Sequence, residues 1–280
     1  MNRRDWLIRA GGACAALVLG APARADEVPY VQTPQTVVDA MLEIAGVRAA
    51  DYLIDLGSGD GRIVITAAQR YGTRGLGIDY DSYLVEESTQ RARAAGVADR
   101  ARFVKQDIFE ADLSRATVVT MYLLPEVNLA LRPRLLATLK PGTRLVSHDW
   151  DMGDWEPDAK AEVLAPDKPV GLLKQSVVYL WIVPAQAAGQ WRTKLPLSGG
   201  LTNATLSIEQ RFQALEGTAR LGDRELAIED ALVRGPHVFF GVGEGAGRLR
   251  FQGRVFADRM VGRVTTADER THSWRAVRAS

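Results

Sequence analysis

The chain has 280 residues, 46% hydrophobic and 25% charged, with one cysteine and a formal net charge of +1. That length suffices for more than one core. The near-zero charge excludes the basic footprint of a nucleic-acid binder, and a lone cysteine excludes a disulfide framework or a thiolate metal site.

Residues 1–25 read as an export leader. Arg3-Arg4-Asp5-Trp6-Leu7 sets two consecutive arginines one residue before two apolar side chains. An apolar, glycine- and alanine-rich stretch follows from Ala10 to Leu19, and Ala23-Arg24-Ala25 offers small residues at a cleavage site. The pattern resembles a twin-arginine signal, which implies a periplasmic or secreted protein cleaved after Ala25. The apolar stretch is shorter than the roughly 20 residues of a membrane span, and no transmembrane segment is expected in the mature chain. The single cysteine, Cys14, falls inside the leader, where Gly11 disfavours lipid attachment. Without the leader, 31 basic residues face 33 acidic ones, a balance that predicts neither nucleic-acid nor membrane-surface binding.

From Gln35 to Val183 two periodicities alternate. Helical patterns at Gln35–Ala45, Arg62–Tyr71, Ser82–Ala95 and Glu126–Leu139 intersperse with strands at Tyr52–Leu56, Gly75–Ile78, Ala101–Val104, Thr117–Tyr122 and Arg144–Ser147. Such alternation predicts a parallel sheet with helices on both faces. The β-branched and aromatic run Ser176–Val183 reads as a buried strand, with Ala161–Leu164 a weaker strand beside it.

The most specific run is Y-L-I-D-L-G-S-G-D-G, Tyr52 to Gly61. A strand ends in Asp55, and Gly57, Ser58, Gly59 and Gly61 form a turn into a helix, where glycine lets the backbone lie against a ligand. A dinucleotide loop sets its third glycine three residues after the second; here it comes two after, and an acid precedes the first. Asp79, followed by Tyr80, closes the next strand, at the place where a doubly wound sheet holds ribose hydroxyls. Asp107-Ile108 follows the third strand.

This constellation resembles the cofactor site of class I S-adenosylmethionine-dependent methyltransferases. The resemblance implies that Asp55 meets the ammonium of the amino-acid tail and the helix start its carboxylate. It implies that Asp79 meets the ribose, with Tyr80 also at the cofactor, and that Asp107 and Ile108 meet the adenine. More closely, Y-V-Q-T-P (Tyr30–Pro34), D-L-G-S-G-D-G-R-I-V-I (Asp55–Ile65), Y-L-L-P-E-V-N (Tyr122–Asn128) and S-H-D-W-D-M-G-D-W (Ser147–Trp155) resemble a bacterial group of these enzymes. The second run is distantly similar to mitochondrial protein-lysine methyltransferases. No N-P-P-Y signature follows strand four, which disfavours a nucleobase or glutamine acceptor.

The reactive end is expected beyond strands four and five. Tyr122, His148, Asp149 and Asp151 are the candidate catalytic residues, with Trp150 and Trp155 able to hold a cationic amine. No metal is expected. The acceptor is an N or O nucleophile on a protein or small molecule, a protein lysine among the options.

Near Gly189 the pattern changes to short alternating segments separated by glycine- and charge-marked turns. They lie at Trp191–Leu195, Ala204–Gln210, Phe212–Leu215, Thr218–Leu221, Leu226–Ile228, His237–Val242, Arg248–Val255, Met260–Val264 and His272–Val277. They predict an antiparallel meander, a small barrel or curved sheet. The expected organisation is a leader (1–25), a Rossmann-like α/β methyltransferase domain (26–188) and an antiparallel β domain (189–280). The competing reading is a methyltransferase scaffold that binds or senses the adenosyl ligand without turnover, its β domain docking a partner.

Overall fold

The computed structural model of the protein describes residues 30–197 and 200–279; the leader lies outside them. The first half is built on α1 (Gln35–Ile44), β1 (Tyr52–Leu56), α2 (Arg62–Tyr71), β2 (Arg74–Asp79), α3 (Ser82–Ala94), β3 (Ala101–Lys105), β4 (Val118–Met121), α4 (Pro125–Thr138), β5 (Arg144–His148), β6 (Ala159–Leu164) and β7 (Gln175–Ile182). The seven strands run in the order β3-β2-β1-β4-β5-β7-β6. The first five are parallel and β7 is antiparallel to both β5 and β6. The predicted elements stand within one or two residues of these bounds. Helix α4 begins at Pro125, where the fixed φ and missing N–H of proline suit a first helical position.

Strands β1, β4 and β5 are buried on both faces, as parallel strands are. One face packs Val37, Val38 and Met41 of α1 with Val64, Ala67 and Ala68 of α2. Among the described residues the other face has a single helix: Leu131 and Leu135 of α4 share a core with Met152, Trp155, Trp181 and Val183. One helix leaves part of a seven-stranded sheet bare, and Phe212 from the second half joins that core.

The second half is a closed barrel of β8 (Gly189–Leu197), β9 (Gly200–Arg211), β10 (Ala214–Leu221), β11 (Arg224–Arg234), β12 (His237–Val242), β13 (Leu249–Val255), β14 (Arg259–Thr265) and β15 (Thr271–Arg278). Each strand pairs antiparallel with its sequence neighbour, and β15 closes on β8. Strand β13 alternates strictly between core and solvent. The interior is filled with side chains: Phe240 stacks on Phe251 at 4.6 Å, and the Trp274 ring sits edge-on to both at 5.6 and 5.1 Å.

Two expected segments, Phe212–Leu215 and Thr218–Leu221, are not separate strands. Phe212 is in the turn at φ 53°, and residues 214–221 form one strand. Gly217, read as a break, is an irregularity within it: the register with β11 shifts between Ala214 and Thr218, and a Cβ at Gly217 would lie 2.0 Å from the Ser207 carbonyl. Strand β11 also runs well beyond Leu226–Ile228, through positions whose side chains are mostly exposed.

Residues 32–280 form one compact unit. Phe212 stacks on Trp155 at 5.7 Å, Arg211 pairs with Asp154 at 2.8 Å, and Arg234 pairs with Asp158 at 3.3 Å. The Gln213 amide donates to the Glu156 carbonyl at 2.7 Å.

Candidate active site

The C-terminal ends of β1 to β5 bring the glycine loop and the three strand-end acids to one sheet edge. Gly57, Gly59 and Gly61 all have positive φ, at 71°, 51° and 78°. A Cβ at Gly57 would lie 2.8 Å from the Leu123 side chain, so the loop passes directly under the segment that follows β4. A carboxylate oxygen of Asp79 accepts the Gly59 amide at 2.8 Å, tying the end of β2 to the loop, and its other oxygen accepts the Asp81 amide at 3.0 Å. Tyr80 is exposed with Lys105 5.7 Å from its ring. Asp107 is exposed and accepts the Phe109 amide at 2.8 Å; Ile108 is half-buried against the core.

Asp55 is 2% exposed and accepts a hydrogen bond from Thr120 Oγ1 at 2.7 Å. Burial, opposed by that bond and reinforced by the charges of Asp79 and Asp60, pushes its carboxyl up to about 8. Ser58 Oγ is buried and has no hydrogen-bond partner among the described residues. Among the described residues, a buried acid without a counter-cation and an orphaned hydroxyl, on a loop whose three glycines hold positive φ, fit a ligand bearing both an ammonium and polar oxygens. This is the chemistry of the S-adenosylmethionine tail.

Asp60 is directed elsewhere. Its carboxylate pairs with Arg62 at 2.6 Å and Arg91 at 2.7 Å, which holds it below the usual carboxylate range despite burial. It also takes the first amide of α2, that of Arg62, at 3.3 Å, so this amide is not open to a ligand carboxylate. Arg62 in turn donates to the Thr33 carbonyl at 2.8 Å.

The catalytic candidates divide. His148 is fully buried: Nε2 is 2.8 Å from Ser176 Oγ, Nδ1 is 3.3 Å from Thr33 Oγ1, and the ring lies 3.9 Å from that of Tyr122. Burial pushes His148 down to about 4, so it is neutral at pH 7. Asp149, at φ 62°, accepts the Val177 amide at 3.0 Å and pairs with Lys168 Nζ at 2.6 Å. Tyr122 is half-buried, and burial together with the Asp149 charge raises its phenol. Asp151 is exposed and accepts the Gly153 amide at 2.9 Å. Trp150 is exposed, whereas Trp155 is core, stacked on Phe212 and accepting through its carbonyl from Trp181 Nε1 at 2.7 Å. The expected two-tryptophan box is therefore not formed, because the bare sheet face claims the second ring. Asp154, at the end of the same loop, is bound by Arg211 and Arg132 and falls to about 2.

Sequence reasoning missed Lys168, Thr33 and Asn128 as parts of this site. Lys168 belongs to the β6–β7 connection, 19 residues from Asp149, and no pattern links the two. Thr33 stands in Y-V-Q-T-P and Asn128 in Y-L-L-P-E-V-N, so those runs were the available signal. The fully buried Asn128 amide donates to Ser147 Oγ at 3.2 Å and to the carbonyls of Trp150 and Asp151 at 3.2 and 3.3 Å.

The family model described as ANTKMT methyltransferase domain matches residues 55–159. The protein-lysine N-methyltransferase of Saccharolobus islandicus is 48% identical over 131 residues, covering 46% of this chain and 81% of that protein. This chain belongs to the class I S-adenosylmethionine-dependent methyltransferases. The adenine nucleotide translocase lysine N-methyltransferase of Mus musculus is 32% identical over 133 residues, 48% of this chain but 58% of that enzyme. The methyltransferase therefore matches little more than half the length of that relative. A solved structure described as an RNA methyltransferase from Salinibacter ruber, bound to S-adenosyl-L-homocysteine, is 52% identical with a TM-score of 0.50. The match covers 56% of this chain and 95% of that one, so nearly all of the shorter protein is matched and a large part of this methyltransferase is not. S-adenosylmethionine is the cofactor.

Proposed function

We propose that this methyltransferase modifies lysine side chains of proteins, with Asp55, Gly57, Ser58, Gly59, Gly61, Asp79, Tyr80, Asp107 and Ile108 holding the cofactor. The observation that carries the acceptor class is the 48% identity to the Saccharolobus islandicus protein-lysine N-methyltransferase across 81% of its length.

S-adenosylmethionine, when bound, supplies a methyl on a sulfonium already activated for displacement. The chain's own residues then have two tasks, alignment and handling of one proton. A lysine arrives protonated, with an ordinary pKa of about 10.4, and must lose its proton before its nitrogen can act as a nucleophile. The exposed Trp150 ring and the Asp151 carboxylate attract the cation. Asp151 is the acid assigned to receive the proton, because Asp149 is already committed to Lys168 and Val177. Tyr122, its ring 3.9 Å from that of neutral His148 and tilted by 31°, stands at the end of β4 on the acceptor side of the site. His148 is a positioning residue: its nitrogens are engaged with Ser176 and Thr33 and it is neutral at pH 7.

A second reading, an RNA acceptor, rests on the description of the Salinibacter ruber structure. Electrostatics weigh against it. Residues 26–188 hold 17 basic and 23 acidic side chains, a net charge of −6 that repels a phosphate backbone. Labelled S-adenosylmethionine offered with a protein extract and, separately, with total RNA tests the choice. Label on lysine by mass spectrometry is expected; label confined to RNA overturns the proposal.

We also propose export of the folded protein through its leader, on the strength of Arg3-Arg4 and Ala23-Arg24-Ala25. The cofactor is made in the cytoplasm, so either loading before export or cytoplasmic turnover has to accompany this reading. Fractionation with N-terminal sequencing tests it: a mature chain starting at Asp26 outside the cytoplasm is expected, and an intact Met1 in the cytoplasm alone refutes it.

A further inference from the structure

The two halves carry opposite charge. Against the −6 of residues 26–188, residues 189–280 hold 14 basic and 10 acidic side chains, a net +4. Most barrel cations with a nearby acid use it: Arg248 with Glu229 and Asp230, Arg250 with Glu269, Arg259 with Asp258, and Arg270 with Asp268. Among the described residues, Arg254, Arg263 and Arg275 make no ion pair, and all three are exposed on the outer face of β13, β14 and β15.

Their register brings them together. Arg254 and Arg275 both pair with Val261, from opposite sides, and Arg263 stands two residues further along the same strand. Strand spacing puts the Arg254 and Arg275 backbones about 10 Å apart and Arg263 about 7 Å from Val261. The Arg254 guanidinium lies 5.6 Å over the Phe256 ring and has to swing from it, after which three guanidinium groups on long side chains can converge over that area on one anion. The outward neighbours inside it are Val261, Gln252 and Ser273; no acid intervenes.

Arg263 also borders a surface depression of about 560 Å³, lined further by Phe239, Gly241, Arg248, Arg250, Gln252 and Thr265. Arg248 lies flat over Gly241, where a Cβ would come within 2.2 Å of its Nε, and that Nε is buried without a partner. The guanidinium thus forms part of the floor, held by Asp230 at 2.6 Å. The Glu269–Arg250 pair at its edge is exposed, and a solvent-screened pair of this kind yields readily to a better anion.

We infer that the outer face of β12 to β15 binds a small phosphorylated ligand, one phosphate held by Arg254, Arg263 and Arg275 and the remainder lying over Gln252 towards Phe239. Forked guanidinium donors match phosphate oxygens in pairs. Exposed Arg192 and Lys194 on the neighbouring β8 also make no ion pair among the described residues, but the depression beside Arg263 has the volume of a small-molecule site, which favours a small ligand over a polymer.

The test is calorimetric titration of the full chain with inorganic tripolyphosphate and, separately, with a single-stranded homopolymeric oligonucleotide. Saturable tripolyphosphate binding is expected, weakened about tenfold by Arg263→Ala and by Arg275→Ala, partly restored by Arg263→Lys, and unchanged by Arg224→Ala on β11. Circular dichroism melts of each variant separate lost binding from lost fold. Absent saturable binding, or equal weakening by Arg224→Ala, overturns the inference. So does tighter binding of the oligonucleotide, which would make the face a polymer track.

Discussion

At the scale of single residues, the chemistry turns on which acids are free to act. The Asp55 carboxyl sits near 8 in the free protein, whereas an unfolded aspartate titrates near 3.9. Between those values the folded state holds a proton that the unfolded state has lost, so this group makes stability fall as pH rises from about 4 to about 8. A cation seated against Asp55 reverses the sign: binding expels the proton, and cofactor affinity rises towards pH 8 by up to about tenfold per pH unit. Titration calorimetry at pH 7 in buffers of different ionisation heat is expected to show proton release, and Asp55→Asn to abolish it. A wild-type affinity flat between pH 6 and 8 would remove Asp55 from the ammonium site. Asp149 is expected to behave differently. Asp149→Asn removes the charge facing Lys168, so the melting temperature falls, by about 1–3 kcal/mol of stability. The shape of the kcat/KM pH profile stays as it was. An altered profile at unchanged stability would instead make Asp149 the base.

At the scale of elements, the loop after β5 is placed by its neighbours more than by its own sequence. Helix α4 holds it twice, through the Asn128 amide on the Trp150 and Asp151 carbonyls and through Arg132 on the Met152 carbonyl at 2.5 Å. Asn128→Ala is therefore expected to raise KM for the acceptor several-fold while leaving cofactor affinity unchanged, since no cofactor-loop residue depends on that amide. A parallel loss of cofactor affinity would show that the whole sheet edge had moved. The alternation of strands and helices that gives β1 to β5 was legible because each element carries its own period; a side-chain cap adds to it at α3 alone among the four helices, where Asp81 takes the Tyr83 amide. Strand β10 was misread because Gly217 looks the same in sequence whether it ends a strand or lets two backbones approach; the Ser207 carbonyl that decides between them lies on β9.

For the whole molecule, the barrel completes the sheet. The face opposite α1 and α2 is covered by one helix, by the loop carrying Trp155 and by the Phe212 turn. Trp155→Ala should cost about 3–5 kcal/mol. In scanning calorimetry the wild type is expected to unfold in one transition and this variant to show the barrel melting apart from the sheet. Two transitions in the wild type would mean that the stack on Phe212 does not couple the halves.

The glycine loop, the strand-end acids and the order of elements in the first half follow from the amino-acid sequence alone. These depend on local rules: glycine where φ is positive, an acid where a strand stops, and a period of 3.6 or 2. Tertiary structure alone decided that Asp149 faces Lys168, that His148 is sealed and neutral, that Trp155 belongs to the core, and that three unpaired arginines share one barrel face. A side chain's charge state and availability depend on what surrounds it, and those neighbours come from strands and loops distant in the chain.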